Sequence, residues 1–290
     1  MGLSLWFLTV FKKSSKLFLR KRVVEIIYRW RFVLAKLTRM PLIRKIIHFS
    51  MFRTDNLIYL PKDTVIQKNN RVIKINKVIS ELEAVVLPSE VLNHFIEKAN
   101  HHWIMNFCLC RVSNKCKNYP IDLGCLFLGE AVLNINPRLG RLVTKEEALE
   151  HVHRCREAGL VHMVGRLKFD AVMLAIGPGH KLLTICNCCE CCCLVRLLPY
   201  FSPQIQRKIT RMPGVELTVT DQCLGCGKCL DSCFVNAIQL INKKAIISDF
   251  CRGCGRCVDV CPQKAILLTV NDYKFVEKSV ERISRSVDVV

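Results

Sequence analysis

The chain has 290 residues, 19 of them cysteine, and a formal net charge of +20. This length suffices for about two domains. The cysteines do not fit a secreted disulfide scaffold, because no secretory signal is visible and the thiols stand in C-x2-C steps that are typical of metal or redox chemistry. We therefore expect the reducing cytoplasm of an anaerobe, where neighbouring thiols such as Cys191, Cys192 and Cys193 escape oxidation.

The positive charge is concentrated in residues 1–54, where thirteen Lys and Arg stand against a single acid, Glu25, and leave +12. The apolar stretch 2–11 is too short to span a bilayer, which takes about 20 apolar residues. It is followed by cations and no small-residue cleavage site, and Trp6 stands where an N-myristoylation signal needs Ser or Thr.

Apolar residues from Val23 to Leu37 recur at helical spacing between cations, and a second short pattern follows Pro41, from Leu42 to Phe49. Such helices are suited to a membrane interface, where anionic headgroups add roughly 1 kcal/mol per cation. The alternatives are a helix packed on its own domain or on a protein partner, and a nucleic-acid arm, for which the apolar face is too large. We expect a basic amphipathic anchor that holds the protein peripherally at the inner face of the cell membrane.

Residues 55–200 change in character and alternate between strand and helix patterns. Asn69-Asn70 marks a turn between two apolar runs and predicts a β-hairpin. Pro88-Ser89 predicts the start of a helix over Glu90 to Asn100, and Trp103 to Phe107 predicts a buried strand.

The same alternation continues toward the second half of the chain. Thr144 to Glu147 fits a capping box, and the helix that it opens should end at Gly159. The runs Leu160 to Val164 and Ala171 to Ile176 predict buried strands. The turn Gly177-Pro178-Gly179 lacks a phosphate-loop pattern, and no dinucleotide fingerprint is present. We therefore predict an α/β domain without a nucleotide site.

Ten cysteines of this domain are candidate metal ligands. They fall into two groups along the chain, namely Cys108, Cys110, Cys116 and Cys125, and then Cys186, Cys188, Cys189, Cys191, Cys192 and Cys193. Six thiols in eight residues point in different directions, so they cannot all be inert core. The first group suffices for one cluster, and the second holds another or shares it; redox-active thiols and zinc remain alternatives. Cys155 stands alone on a helix and is assigned to the core.

The joined pattern of these thiols, C-x-C-R-x4-C…P…G-C-L-x2-G and then I-C-N-C-C-x-C-C-C, resembles a poorly characterised cysteine-rich module. That module lies upstream of ferredoxin domains in iron–sulfur proteins of anaerobes. The resemblance covers about residues 85–200 and implies no agreed activity.

The C-terminal part contains a four-thiol motif that occurs twice. The spacing C-x2-C-x2-C-x3-C starts at Cys223 and again at Cys251, 28 residues later. Neighbouring positions repeat in register: Gly225/Gly253, Gly227/Gly255, Lys228/Arg256, Asp231/Asp259, Ala237/Ala265 and Ile238/Ile266. Such self-similarity predicts one small unit used twice about a pseudo-twofold axis. The glycines give the loop the backbone freedom to wrap around a cluster.

This stretch closely resembles the two-cluster bacterial-type ferredoxins over residues ~215–272. The resemblance implies two [4Fe–4S] cubes, with the fourth cysteine of each run reaching the other cube. The ligands would be Cys223, Cys226, Cys229 and Cys261 for cube one, and Cys251, Cys254, Cys257 and Cys233 for cube two. Phe234 replaces the usual proline, which Pro262 keeps in the second copy, and no ligand is lost. Zinc is the alternative, but the third closely spaced thiol of each run and the crossed cysteine have no use in a tetrahedral site.

The elements around this motif follow from the same signals. Ser202-Pro203 predicts a short helix. Val215 to Thr220 predicts the first strand of the ferredoxin domain, and Ile266 to Val270 its last. The run from Tyr273 to Ile283 predicts a final helix with a weak face pattern.

These patterns predict an α+β protein in four segments. They are a helical anchor (1–54), a cysteine-rich α/β domain (55–200), a 2[4Fe–4S] ferredoxin domain (201–272) and a C-terminal tail (273–290). The predicted function is electron transport, in which single electrons pass through two or more [4Fe–4S] clusters between redox protein partners. No catalytic residue is assigned, and a carrier or redox-complex subunit is favoured over a stand-alone enzyme.

Two other functions remain as alternatives. The first is an iron–sulfur oxidoreductase, in which the upstream module carries one or two further clusters and one of them reacts with substrate. The second is a nucleic-acid-binding iron–sulfur regulator, which the +12 arm motivates.

Overall fold

The computed structural model describes residues 28–66 and 87–290. The predicted hairpin around Asn69-Asn70 lies outside the described residues, as do the apolar stretch 2–11 and the first positions of the N-terminal helix pattern.

Two consecutive helices begin the described chain. Residues 28–37 form helix α1. Helix α2 (Pro41–Ile47) follows and continues into a π-helical turn, His48–Phe52. Pro41 starts α2 because its fixed φ suits the first helical turn, where no donor is needed. The helical periodicity is therefore confirmed from residue 28 onward.

The centre of the protein is a seven-stranded sheet in the order β4-β2-β3-β6-β5-β1-β7. Its strands are β1 (Asn56–Tyr59), β2 (His102–Met105), β3 (Leu126–Leu128), β4 (Gly140–Val143), β5 (Val161–Arg166), β6 (Leu183–Cys188) and β7 (Ile209–Arg211). Within the described chain, the pairing is antiparallel throughout except for the parallel pair β1–β7. The α/β prediction for the middle segment is thus corrected to a mainly antiparallel α+β arrangement.

Short helices connect and cover these strands. They are α3 (Glu90–Lys98), α4 (Leu109–Ser113), α5 (Lys145–Glu157), α6 (Lys168–Leu174) and α7 (Pro203–Gln206), with 3-10 turns at Asp63–Val65, Glu130–Asn134, Gly179–Lys181 and Leu194–Tyr200. Helices α3, α5 and α7 confirm the predicted helices at those positions.

The strand predicted over Ala171 to Ile176 is wrong, because this run lies largely in helix α6. The carboxylate of Asp55 accepts a hydrogen bond from the N–H of Lys168 at 2.8 Å and satisfies the start of the helix. Ala175 then ends it in a left-handed conformation with φ +62°. A short apolar run without clear periodicity does not distinguish a buried strand from a buried helix.

Two predicted helix starts differ in their capping. The Thr144 hydroxyl accepts from the N–H of Glu147 at 3.2 Å, and the Glu147 carboxylate accepts from the N–H of Thr144 at 2.9 Å, which confirms the capping box. Ser89 precedes α3 as expected, but its side chain makes no cap. Its N–H donates instead to the carboxylate of Asp63 at 3.1 Å.

The C-terminal part consists of short strands and helices. They are β8 (Val215–Val219), α8 (Lys228–Ser232), β9 (Ile238–Ile241), β10 (Lys244–Ile247), α9 (Arg256–Asp259), β11 (Ile266–Val270) and α10 (Phe275–Ser284). Strands β8 and β11 pair antiparallel, and β9 and β10 form a hairpin. The predicted strands at both ends of the motif and the predicted final helix are confirmed.

Helix α10 packs against α3. Phe275 and Ile283 are buried in one apolar core with Leu92 and Ile96 of α3. Burial of each such side chain contributes about 1.5–3 kcal/mol. The side chains of Asn56 and Arg282 add hydrogen bonds between β1 and α10, one from Arg282 Nε to Asn56 Oδ1 at 2.9 Å.

Candidate metal centres

The two cysteine runs have the same backbone conformation. Gly225 and Gly253 both have φ +67°, and Gly227 and Gly255 have φ +80° and +81°. Only glycine adopts this left-handed region without strain. Helix α8 begins directly after Gly227, and α9 directly after Gly255. The repeat predicted from the sequence is therefore a structural repeat as well.

Backbone N–H groups point at the fourth thiol of each run. The N–H of Ala237 donates to Cys233 Sγ at 3.3 Å, and the N–H of Ala265 donates to Cys261 Sγ at 3.3 Å. The two bonds occupy equivalent positions of the repeat. Such donors favour the thiolate form and tune the potential of a cluster held by it.

The first thiol of each run is also an acceptor. The N–H of Ala245 donates to Cys223 Sγ at 3.4 Å, and the N–H of Gly253 donates to Cys251 Sγ at 3.3 Å. The donor for Cys223 comes from strand β10, whereas the donor for Cys251 comes from its own loop. The surroundings of the two runs therefore differ in detail.

The fold gathers the thiols in the crossed combination. One small pocket is lined by Cys223, Cys226, Cys229 and Cys261. The other four predicted ligands also lie together: burial first, and then the neighbouring thiols of Cys251 and Cys233, raise the pKa of Cys254 to about 12. Burial, and then the neighbouring thiols of Cys254, Cys251 and Cys233, also raise the pKa of Cys257. Each set of four combines three thiols of one run with the last thiol of the other.

The two sets differ in exposure. Cys226 is exposed, and the neighbouring Leu224 is 69% exposed, so the first set lies at the surface. Cys251 and Cys257 are buried. The first set can thus be approached from solvent, and the second faces the rest of the protein.

The fold groups the upstream cysteines differently from their order in the sequence. The sulfur atoms of Cys116, Cys189, Cys191 and Cys192 all lie within 4.8 Å of one another, and the sulfurs of Cys116 and Cys191 are 3.6 Å apart. This compact group combines thiols from both sequence groups. Ligands at about 2.3 Å around one tetrahedral ion are separated by about 3.8 Å. The compact group therefore fits a single tetrahedral ion.

The other six upstream thiols form a second set, called here the six-thiol group. They are Cys108, Cys110, Cys125, Cys186, Cys188 and Cys193. The Cys193 thiol donates to Cys188 Sγ at 3.1 Å, and hydrogen bonds from Cys186 and Cys193 lower the pKa of Cys188 well below its usual range. The Cys110 thiol likewise lowers the pKa of Cys108 to about 7.

Arg111 lies beneath both upstream groups. Its side chain is completely buried and donates to the carbonyl oxygens of Asn187 and Leu123. Burial lowers the pKa of this guanidinium, but the thiols of Cys108 and Cys189 reverse the shift and raise it. A buried cation needs a negative partner. Metal-bound thiolates supply that charge, so the electrostatics of Arg111 fit thiolate centres on both sides.

A second buried arginine joins the cysteine runs to the upstream thiols. Arg256 stands between Cys254 and Cys257 in the second run. Its guanidinium lies 2.6 Å from the Glu190 carboxylate and donates to the carbonyl oxygen of Cys188 at 2.8 Å and to the Tyr119 hydroxyl at 3.2 Å. In the sequence, Arg256 is recognisable only as a position of the repeat, and its contacts with the upstream thiol segment were not predicted.

An apolar cavity of about 370 Å³ adjoins the six-thiol group. Five of these thiols line it, all but Cys188. The opposite wall comes from α1 and the π-helical turn, with Tyr28, Leu34 and Phe52. Asp170 is a carboxylate on the lining, and it accepts a hydrogen bond from the Thr184 hydroxyl at 2.9 Å.

Cys155, which the sequence assigned to the core, and two buried histidines have structural roles. Cys155 is completely buried, and burial raises the pKa of its thiol to about 12. His151 Nε2 shares a hydrogen bond with the carbonyl of Gly124 at 2.9 Å, and His162 Nδ1 with the Asn187 side chain at 2.9 Å. These side chains are structural.

Residues 218–268 match the family model of a 4Fe-4S dicluster domain. The C-terminal part contains a 4Fe–4S domain. The match spans both cysteine runs and their glycines. The α+β body upstream of it contains the compact thiol group, which suggests the cysteine-rich module. No curated protein and no solved structure matches the chain.

The N-terminal helices present apolar residues to solvent. Leu42 is 72% exposed and Phe49 is 65% exposed, and Trp30 and Ile46 are also exposed. Cations such as Arg44 lie between them. In the part of the chain that the structure describes, no helix is long and apolar enough to cross a bilayer.

Proposed function

We propose that this is an iron–sulfur electron-transfer protein whose C-terminal domain carries two [4Fe–4S] cubes. Cube one is held by Cys223, Cys226, Cys229 and Cys261, and cube two by Cys251, Cys254, Cys257 and Cys233. The observation that carries the proposal is the pocket lined by three thiols of the first run and Cys261 of the second, within the segment that matches the dicluster domain. When bound, each cube takes up and releases single electrons without forming a bond to substrate.

The protein's own groups set the conditions for this transfer. The backbone donors to Cys233 and Cys261 hold the two crossed thiols as acceptors and stabilise their negative charge. Burial of the second run excludes water from it, and low solvent access also tunes the potential. These groups are in place in the fold, so little reorganisation is needed during transfer.

The difference in exposure favours a direction for the electrons. The first run offers a solvent-facing surface around Leu224 and Lys228 to a redox protein partner. The second run contacts the upstream thiol segment through Arg256 and Glu190. We propose that cube one exchanges electrons with an external partner and that cube two communicates with metal at the upstream thiols.

Peripheral attachment to an anionic membrane surface is part of the proposal. The exposed apolar side chains of α1, α2 and the π-helical turn, with cations between them, support it. At the inner face of the cell membrane, the first 54 residues would bind anionic lipid, and nucleic acid is the less favoured partner because so much of this surface is apolar.

The test of electron transfer is spectroscopic. Anaerobically purified protein should bleach across the visible iron–sulfur bands on reduction, and low-temperature EPR should show interacting [4Fe–4S]⁺ signals. A protein that folds and transfers electrons without iron would refute the proposal.

A second candidate function is favoured by the apolar cavity beside the six-thiol group. Cavities of roughly 300–1,000 Å³ with few polar groups are typical of small-molecule sites. The protein would then be an oxidoreductase in which an upstream centre meets an apolar substrate. Iron clearly above about eight per chain, which two cubes supply, together with EPR changes on adding substrate, would favour the enzyme over the carrier.

A further inference from the structure

We infer that the six-thiol group is a polynuclear iron–sulfur site, separate from the compact single-ion group formed by Cys116, Cys189, Cys191 and Cys192. The inference rests on the proposed iron–sulfur function for the identity of the metal. The separation into two sites rests on the geometry alone. It divides the ten upstream thiols differently from their two groups in the sequence.

The fold brings the six thiols together from four parts of the chain. Strand β6 carries Cys186 and Cys188 at its end, where it pairs with β5. Cys125 precedes β3, the neighbour of β6 on its other side. Cys108 and Cys110 lie at the start of α4, and Cys193 follows β6 after a short turn. Sheet pairing therefore fixes the positions of the central thiols.

Contacts between sulfurs join four of these residues, and the other two line the same cavity. Cys125 is hydrogen-bonded to Cys186, Cys186 to Cys188, and Cys188 to Cys193 at 3.1 Å. Cys108 and Cys110 form a further pair. One tetrahedral ion uses four ligands. Six thiols in this arrangement exceed the needs of one ion, and soft thiolates in such number select iron–sulfur clusters, zinc or copper(I).

Polar groups around the six thiols lie within reach of the sulfur atoms. The hydroxyl of Tyr28 lies 3.4 Å from Cys110 Sγ, and the hydroxyl of Tyr59 lies 4.0 Å from Cys193 Sγ. Arg111 is buried beside Cys108 and its Nε has no hydrogen-bond partner among the described residues. Two hydroxyls and a cation around thiols are the outer partners that orient ligands and neutralise a thiolate centre.

The neighbouring cavity supplies room for a cluster larger than one ion. Its lining includes five of the six thiols, and the remaining walls are almost entirely apolar. A single zinc ion bound only by protein ligands requires no such space. The site would therefore be open to the cavity on one side.

Iron is chosen over zinc on the proposed function, and apolar contacts connect the six-thiol group to the predicted ligands of cube two. Phe234 stands where the ferredoxin pattern has proline, and its ring packs on Tyr59 with a centroid distance of 5.1 Å. Cys188, Cys193 and Cys251 share one apolar core with these two rings. The departure from the family pattern thus places an aromatic ring directly after Cys233, the first-run ligand of cube two, in contact with Tyr59 beside the six-thiol group.

The test compares two pairs of substitutions in the full chain, purified without oxygen. Iron, zinc and acid-labile sulfide are measured per chain, with Mössbauer spectra of iron-57 samples. We expect the pair Cys125→Ser and Cys193→Ser to remove several irons with their sulfide. The pair Cys189→Ser and Cys192→Ser should remove about one metal ion. Both should keep the EPR signals of the C-terminal cubes.

Controls keep the result interpretable. Cys155→Ser, another buried thiol, should leave the metal content unchanged. If a double variant does not fold, Tyr59→Phe removes one hydroxyl near Cys193 and should shift the midpoint potential of the upstream signal only. Unchanged iron in the first pair, or zinc alone at the site, overturns the inference. If the unaltered protein itself shows no EPR signals of the C-terminal cubes, the proposed function is overturned instead.

Discussion

At the scale of single residues, the repeated glycines could be predicted from the sequence, whereas the N–H donors to sulfur could not. Gly225 and Gly253 have the same φ because the chain must turn the same way around each site. This requirement is local, and a sequence displays it directly. Donors such as the N–H of Ala245 come from a strand 22 residues away and could not be assigned before the fold was known.

The substitution Gly225→Ala tests the local requirement. A Cβ at this position would lie 2.3 Å from the carbonyl oxygen of Lys243, and φ +67° is strained for alanine by about 1–2 kcal/mol. We expect the iron content to fall by about four per chain, as cube one is lost. Gly179→Ala is the control, because its Cβ would meet only ordinary contacts. Full iron retention in the Gly225 variant would contradict the assigned loop geometry.

The burial of the Asp55 carboxyl predicts that the stability of the protein falls as the pH rises. Burial raises the pKa of its carboxyl to about 6 from the usual 3.8, although its hydrogen bond with Lys168 and nearby cations lower it. The folded state therefore binds this proton more tightly than the unfolded state, and stability is lost as the pH rises from about 4 to about 6. At higher pH the ionised form costs up to about 3 kcal/mol.

Asp55→Asn keeps the acceptor for the N–H of Lys168 and removes the charge. We expect a higher melting temperature than the unaltered protein at pH 8 and a smaller difference at pH 5. Thermal unfolding followed by circular dichroism measures both. Glu150→Gln, at an exposed position, is the control and should show no such change. A variant that is less stable at pH 8 would contradict the account.

At the scale of elements, strong periodicity and capping gave correct predictions, and so did most short apolar runs, with the run at residues 171–176 as the exception. Helix α5 has a capping box and a terminal glycine, and both ends were predicted. The run at residues 171–176 has neither signal, and the hydrogen bond from Lys168 to Asp55 decides its helical state. That partner lies 113 residues away and is invisible to a local pattern.

The exposed apolar face of the N-terminal helices predicts binding to anionic vesicles. Replacing Leu42 and Phe49 together by Glu removes two exposed apolar side chains and adds negative charge. We expect flotation with anionic phospholipid vesicles to fall at least tenfold. Leu133→Glu with Tyr273→Glu is the matched control, since both side chains are exposed elsewhere on the surface. Unchanged flotation, or a DNA mobility shift in place of flotation, would contradict membrane attachment.

At the scale of the whole molecule, the fold gives the thiols a grouping that the sequence did not. The sequence separates four thiols from six, whereas the sheet brings Cys116 to the later cysteines and leaves Cys188 and Cys193 with the earlier ones. This regrouping of the thiols depends on strand pairing between distant parts of the chain. The crossed sets of four thiols in the C-terminal domain could be predicted, because in the two-cluster ferredoxins that this segment resembles the fourth cysteine of each run reaches the other cube.

Substitution of Arg256 tests whether the C-terminal domain exchanges electrons with metal at the upstream thiols. Arg256→Gln leaves Glu190 without its cation and should cost about 2 kcal/mol of stability, less than a fully buried pair. It should also slow electron exchange between cube two and the upstream metal. Lys228→Gln, at the equivalent position of the first run, is exposed and should change neither. Stopped-flow reduction and thermal unfolding measure the two effects, and equal behaviour of the variants would contradict the connection.

The most direct test of the central claim is the metal and sulfide content of the protein purified without oxygen. Two cubes in the C-terminal domain predict at least about eight irons and eight acid-labile sulfides per chain, with additional metal at the upstream thiols. The brown colour should disappear on reduction. A colourless protein that contains zinc and no sulfide would contradict the claim that the paired cysteine runs hold iron–sulfur cubes.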